Sequence, residues 1–161
     1  MKPALLIIDL QTGFVSGPRR RGEIEEACEY INATSELFRN AGLPVVIVQD
    51  TECGKESEGY ELIPEVVVQE TDLRVEKEWS NSFWKTPLEE LLLDQGVDFV
   101  VVCGFAAEHC VTFTYNGARE RGFGAAILQN GILGEHPNAV QSVVEARPLI
   151  SYSVIASMLK R

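Results

Sequence analysis

A thiol, a carboxylate and an ammonium are the groups of this chain whose positions could combine into bond-breaking chemistry. Cys110 follows an apolar run at 99–103 and Gly104, where Gly104-Phe105-Ala106-Ala107-Glu108-His109-Cys110-Val111 passes from strand-like to helical periodicity. A thiol at a helix N-terminus feels the positive end of the backbone dipole and nearby unpaired N–H groups, which predicts a lowered pKa and ready labelling by thiol reagents. Asp9 ends the first apolar run, and Lys77 ends or follows the third strand-like run. In such a set the lysine stabilises the thiolate, while the carboxylate accepts the thiol proton and later hands it to a leaving group. A strand-end Asp or Lys alone is ordinarily just solvated, so the argument rests on the three meeting in space.

The elements that would bring them together are written as an alternation. Residues 4–10, 44–50, 73–77, 99–104, 124–129 and 149–153 read as strands, several of them apolar on both faces. Between them, 23–41 keeps helical spacing through Ile24, Ala27, Cys28, Ile31 and Phe38 and stops at Gly42. Thr86-Pro87-Leu88-Glu89 predicts a capped helix start, with that helix running over 86–95 and closed by Gly96. The helix opening near Cys110 is expected to turn Val111, Thr114, Tyr115 and Ala118 inward and to end at Arg119, Arg121 and Gly122. Two further helices are expected over 137–145 and 154–160. Alternating strands and helices predict an α/β fold: one three-layer α/β/α domain over 1–161, Rossmann-like, whose mostly parallel sheet of about six strands is covered by helices on both faces. Such sheets place their sites at the carboxyl ends of the strands near a topological switch point, which would gather Asp9, Lys77 and Cys110 on one edge.

Composition narrows the partners. A chain of 161 residues with 45% hydrophobic and 24% charged content can bury a sizeable core. Its net charge of −10 argues against nucleic acid or an anionic membrane as partner, since phosphate binding draws on clustered Lys and Arg. Arg19-Arg20-Arg21 is the basic cluster of the sequence and reads as a solvated loop before the first helix. The opening run is too short for a signal-peptide core and is closed by an acid, so a cytoplasmic protein with its four cysteines reduced is expected. Cys28 and Cys103 read as core residues and Cys53 as incidental.

Asp9-Leu10-Gln11-Thr12-Gly13-Phe14, then Lys77 with Ser82-Phe83 and Thr86-Pro87-Leu88, then the Gly104 to Val111 motif with Thr114, Ala118 and Gly122, together resemble the isochorismatase-like cysteine hydrolase superfamily over nearly the whole chain. The superfamily includes nicotinamidases and N-carbamoylsarcosine amidases. The resemblance implies the isochorismatase-like hydrolase fold and an Asp9, Lys77 and Cys110 triad that hydrolyses a small amide or carbamoyl compound through a thioester on Cys110. It also implies a cis peptide between Phe105 and Ala106, an oxyanion hole from the backbone N–H groups of Ala106 and Cys110, and a dimer or tetramer. Phe14 would align with an aromatic wall of the pocket, or else pack beside the first strand. Phe14, Phe105 and His109 form the expected substrate-contacting set.

The chain also departs from the family pattern. Nicotinamidases hold a metal with an aspartate and histidines soon after the second strand, whereas Asp50-Thr51-Glu52-Cys53-Gly54 supplies only the aspartate. The chain has two histidines, His109 and His136, so a multi-histidine site is excluded by count and neither metal nor other cofactor is expected. Successive helical residues point about 100° apart, so His109 is expected to border the pocket rather than serve Cys110 as base. Trp79 and Trp84 are expected to be buried, at a subunit interface or on substrate, and the acidic segment 51–61 is a candidate lid. Two other readings stay open: a vinyl-ether hydrolase of isochorismatase type, which needs the acid at Asp9 but no thiol, and a non-catalytic interaction protein.

Overall fold

The computed structural model describes residues 1–15 and 21–159. Arg19 and Arg20 of the basic cluster and Lys160 of the last expected helix lie outside the described residues. The elements run β1 (Pro3–Ile8), α1 (Arg21–Asn40), β2 (Val45–Asp50), β3 (Leu73–Lys77), α2 (Leu88–Asp94), β4 (Phe99–Phe105), α3 (Thr112–Glu120), β5 (Gly124–Leu133), α4 (Ala139–Ala146), β6 (Leu149–Ile150) and α5 (Tyr152–Leu159). A single π-helical turn, Ala107–Val111, leads into α3.

All strand pairs are parallel, in the order β3-β2-β1-β4-β5-β6. The chain therefore winds outward from β1 to β3, then returns to the other side of β1 to lay down β4. The switch point falls between β1 and β4, and the register aligns the strand ends there: Ile8 lies opposite both Val48 and Gly104, and Asp50 opposite Lys77.

Burial on both faces explains why the central strands are continuously apolar. Ala4, Leu6 and Ile8 face α2, α3 and α4 through Leu88, Leu92, Tyr115, Ala118 and Val143. Leu5 and Ile7 face the opposite layer, with Ala27, Cys28, Ile31 and Phe38 of α1 and Ile155 of α5. Each of these strand side chains is at most 1% exposed, and burial of that kind stabilises the fold by roughly 1.5–3 kcal/mol per large aliphatic residue.

Several boundaries differ from the sequence reading for local reasons. The last strand stops at Ile150, because the Ser151 hydroxyl accepts the Val154 N–H at 3.3 Å and starts α5 instead. β5 runs on to Leu133, past an irregular register with β4 and a left-handed Asn130. Thr86 does accept the Leu88 N–H (3.3 Å), but Glu89 turns away from the capping box to pair with Arg121 at 2.9 Å, and the helix spans only Leu88–Asp94. Trp79 and Trp84 are not buried: each is 51% exposed, with the Lys85 ammonium over both rings. No helix among the described residues is long and apolar enough to cross a membrane.

Candidate active site

The carboxyl ends of β1, β2, β3 and β4 surround a cavity of about 570 Å³, lined by Asp9, Phe14, Asp50, Glu52, Glu78, Ser80, Phe105, Ala106, His109, Cys110 and Glu135. Its volume suits a small molecule. A wider groove of about 950 Å³ opens at the opposite edge, by Pro44 and Leu73, where Arg39 and Asp72 pair at 2.7 Å; none of its lining residues is a cysteine.

Local backbone geometry aims each group. Asp9 has φ +48°, so the chain turns sharply as β1 ends and leaves the carboxylate at the floor of the cavity, 2% exposed. β4 approaches β1 closely because residue 104 is a glycine: a Cβ there would stand 2.1 Å from the Ile8 carbonyl oxygen, and its φ is +108°. The Phe105–Ala106 peptide that follows is cis. The next turn is wider than an α-helix: Val111 N–H donates to the Ala106 carbonyl at 3.1 Å and the Thr112 hydroxyl to the Ala107 carbonyl at 2.7 Å. Cys110 thus sits in a π turn ahead of α3 rather than in the first α-helical turn. The stretch after Lys77 is latched to α3 by Ser82, whose N–H donates to Thr114 Oγ1 at 3.1 Å and whose hydroxyl lies 2.7 Å from it.

Asp9, Lys77 and Cys110 meet. Lys77 Nζ stands 2.8 Å from Asp9 Oδ2 and 3.5 Å from Cys110 Sγ. A fourth member was not singled out from the sequence: Asp50, whose Oδ2 lies 2.5 Å from the same ammonium. Asp50 obeys the strand-end rule as well as Asp9 does, since it closes β2 opposite Lys77. Among the described residues, Asp9 Oδ1 has no hydrogen-bond partner of ordinary geometry, yet the thiol is close enough for the two groups to shift one another's protonation.

The electrostatics overturn the expected low thiol pKa. One ammonium already faces two carboxylates, leaving the buried cluster one negative charge, and a thiolate would add a second. Burial first, then the Asp9 charge, push Cys110 up to about 12, against the pull of Lys77. Burial also raises Asp9, to about 6, though the Lys77 charge and hydrogen bond hold it down. Burial alone would lower Lys77, but the Asp9 and Cys110 charges and its hydrogen bonds to Asp50 and Asp9 raise it above its ordinary value.

Of the remaining candidates, Phe14 lines the cavity and packs, half-buried, against the core on the α1 side of the sheet. Phe105 and Ala106 form the β4 side of the cavity. His109 lies at the exposed rim, its Nε2 3.4 Å from Glu135. Segment 51–61 is tied down by Gly13 N–H to the Gly59 carbonyl (2.9 Å), Thr12 N–H to the Glu61 carbonyl (2.8 Å) and Tyr60 Oη to Glu76 (2.6 Å), and among the described residues it contributes only Glu52 to the cavity. Cys28 and Cys103 are core residues, and Cys53 packs against Gly13 and Gly59 behind the cavity lining, to which it does not itself contribute.

Among the described residues, two donor sets have the spacing of metal ligands. Asp9, Asp50 and Cys110 bring oxygen and sulfur atoms within 4.8 Å of one another, but the ammonium of Lys77 occupies that centre. Asp50 Oδ1 further accepts the Glu52 N–H at 2.9 Å, so the metal-binding aspartate of nicotinamidases is here a partner of Lys77, and the residues present do not fit that metal. Glu108, His109 and His136 form the second set at the rim; Glu108 already accepts the backbone N–H groups of Glu135 and His136.

An Isochorismatase domain family model matches residues 3–147. The chain is similar to the isochorismatase family protein YddQ of Bacillus subtilis, with 31% identity over 81% of this chain and 77% of that one. It is 33% identical to a streptothricin hydrolase of Streptomyces noursei over 98% of its own length, spanning 62% of that longer protein. Among solved structures, the N-carbamoylsarcosine amidase of Thermoplasma acidophilum superposes with a TM-score of 0.79 at 26% identity, covering 94% of this chain and 95% of that one.

Proposed function

From the premise that this chain belongs to the isochorismatase domain family, whose members include hydrolases of amides, we propose that it is a cysteine hydrolase cleaving a small amide or carbamoyl C–N bond without a metal. The observation that carries the reading is Lys77 Nζ lying 2.8 Å from Asp9 and 3.5 Å from Cys110 Sγ at the cavity floor.

Moving the thiol proton from Cys110 to Asp9 leaves the charge of the buried cluster unchanged, so it avoids the penalty of creating a second uncompensated anion. Sγ attacks the carbonyl carbon as Asp9 takes its proton. The oxyanion is held by the backbone N–H groups of Ala106 and Cys110. Asp9 then protonates the departing nitrogen, the C–N bond breaks, and an acyl thioester remains on Cys110. Water attacks that thioester, gives a proton to Asp9, and releases the carboxylic acid as the thiol takes the proton back. Lys77 stays charged throughout, and Asp50 fixes its position. Phe14, Phe105 and His109 border the substrate.

Ammonia release from a panel of primary amides, ureas and carbamoyl amino acids, with intact-mass detection of an acyl adduct on Cys110, tests this. Turnover that vanishes in Cys110→Ala is expected. Turnover retained by that variant would overturn covalent catalysis by the thiol.

A further inference from the structure

We propose that the cavity selects a cationic substrate: a small amide whose acyl part carries an ammonium or guanidinium group some bonds away from the scissile carbonyl. This rests on the hydrolase reading above and names the substrate class of that same site.

The charges on the cavity wall carry the inference. At the floor, Lys77 faces Asp9 and Asp50 at 2.8 and 2.5 Å, so its single charge is exceeded by two carboxylates. Glu52, from the turn after β2, and Glu78, from the turn after β3, stand exposed on the wall above them. Apart from Lys77 at the floor, the one basic side chain that lines the cavity, among the described residues, is His109, and it is met by Glu135 at 3.4 Å. The nearby ammonium groups are committed elsewhere: Lys55 pairs with Glu76, and Lys85 lies 5.7 Å from the Trp79 ring centre, both beside an adjoining hollow.

A second, independent feature points to a ligand. Asp9 is 2% exposed, lines the cavity, and its Oδ1 has no hydrogen bond of ordinary geometry among the described residues, only the weakly donating Cys110 thiol beside it. A buried carboxylate oxygen with only a thiol for a donor is under-satisfied, and a bound group that presents N–H to the floor relieves it. Such a floor, with acidic walls, repels a carboxylate-bearing substrate and attracts a cation. Phe14 and Phe105 supply apolar faces on which an alkyl spacer or a cation can rest. The scissile amide takes the deep position by Cys110, and the cationic end reaches back toward Glu52 and Glu78.

Three amides of equal chain length test the charge preference: 5-aminopentanamide (cationic), hexanamide (neutral) and adipic acid monoamide (anionic). The expected result is a kcat/KM for the cationic amide at least about tenfold above the neutral one, with the anionic one lowest. That ratio should fall severalfold in Glu52→Gln/Glu78→Gln and with rising salt. A ratio near one, or one that the double variant leaves unchanged, overturns the inference while leaving amide hydrolysis standing. Should none of the three be turned over, calorimetric binding of the cationic and neutral amides to Cys110→Ala decides separately. Tighter binding of the cationic amide upholds the charge preference, and the wider amide panel decides the hydrolase reading by itself; equal binding overturns the preference.

Discussion

At the scale of single residues, the site turns on how one ammonium is shared. Asp50 and Asp9 both pair with Lys77, while burial and then the Asp9 charge keep Cys110 protonated at rest, so in the proposed reaction its activation falls to Asp9. Asp50→Asn removes one of the two carboxylates, so the thiol pKa should fall, and alkylation of Cys110 by iodoacetamide at pH 8 should speed up by about threefold for each unit of the fall, since the tenfold gain in thiolate is partly offset by its lower nucleophilicity. Unchanged or slower alkylation would mean that Asp50 does not hold the charge balance. The elevated Asp9 pKa of about 6 sets a second expectation. The base must be ionised to accept the thiol proton, so kcat/KM should rise with pH through an apparent pKa near 6 and then level off. A flat profile from pH 5 to 7 would remove Asp9 from that role. Because the donors near Lys77 enclose an ammonium rather than a metal, exhaustive dialysis against a chelator should leave turnover intact; loss restored by a divalent ion would contradict this.

At the scale of elements, two contacts hold the turn that carries Cys110 in place. The first is the approach of β4 to β1 at Gly104. In Gly104→Ala the new methyl would overlap the Ile8 carbonyl at a left-handed φ, so a loss of more than about 3 kcal/mol and a drop in Tm on the order of 10 °C are expected in thermal unfolding. The second is the latch between Ser82 and Thr114. Thr114→Val keeps the shape but leaves the Ser82 N–H and hydroxyl without that partner in a buried place, at a cost of about 1–3 kcal/mol. If Tm is unmoved, the latch is not a structural contact. The sequence spoke clearly about these elements wherever an apolar run met a strong punctuation: Gly42, Gly96 and Gly122 each close a helix where expected. It spoke less clearly where a short polar side chain chose between partners, as Ser151 did in starting α5 and Glu89 in leaving its cap for Arg121.

For the whole molecule, the parallel sheet and its two helical layers were readable because alternation of buried strands and amphipathic helices admits few arrangements. The strand-end rule then put Asp9, Lys77 and Cys110 on one edge without coordinates. What could not be read was the arithmetic of charge inside the site. Asp50 looks like any solvated strand-terminal acid until the β2–β3 register sets it opposite Lys77, and a thiol near a helix start looks activated until its burial and the facing carboxylates are known. The exposure of Trp79 and Trp84 was hidden for a similar reason: aromatic residues suggest burial, but Lys85 stacks over both rings at the surface.

The strand order has a temporal corollary. The innermost strand is the first to be made, while its neighbour β4, which delivers the sulfur, comes only after β2 and β3 have been laid down on the other flank. The sulfur can therefore reach Asp9 and Lys77 only once β4 has paired with β1, after the strands that carry both of those groups.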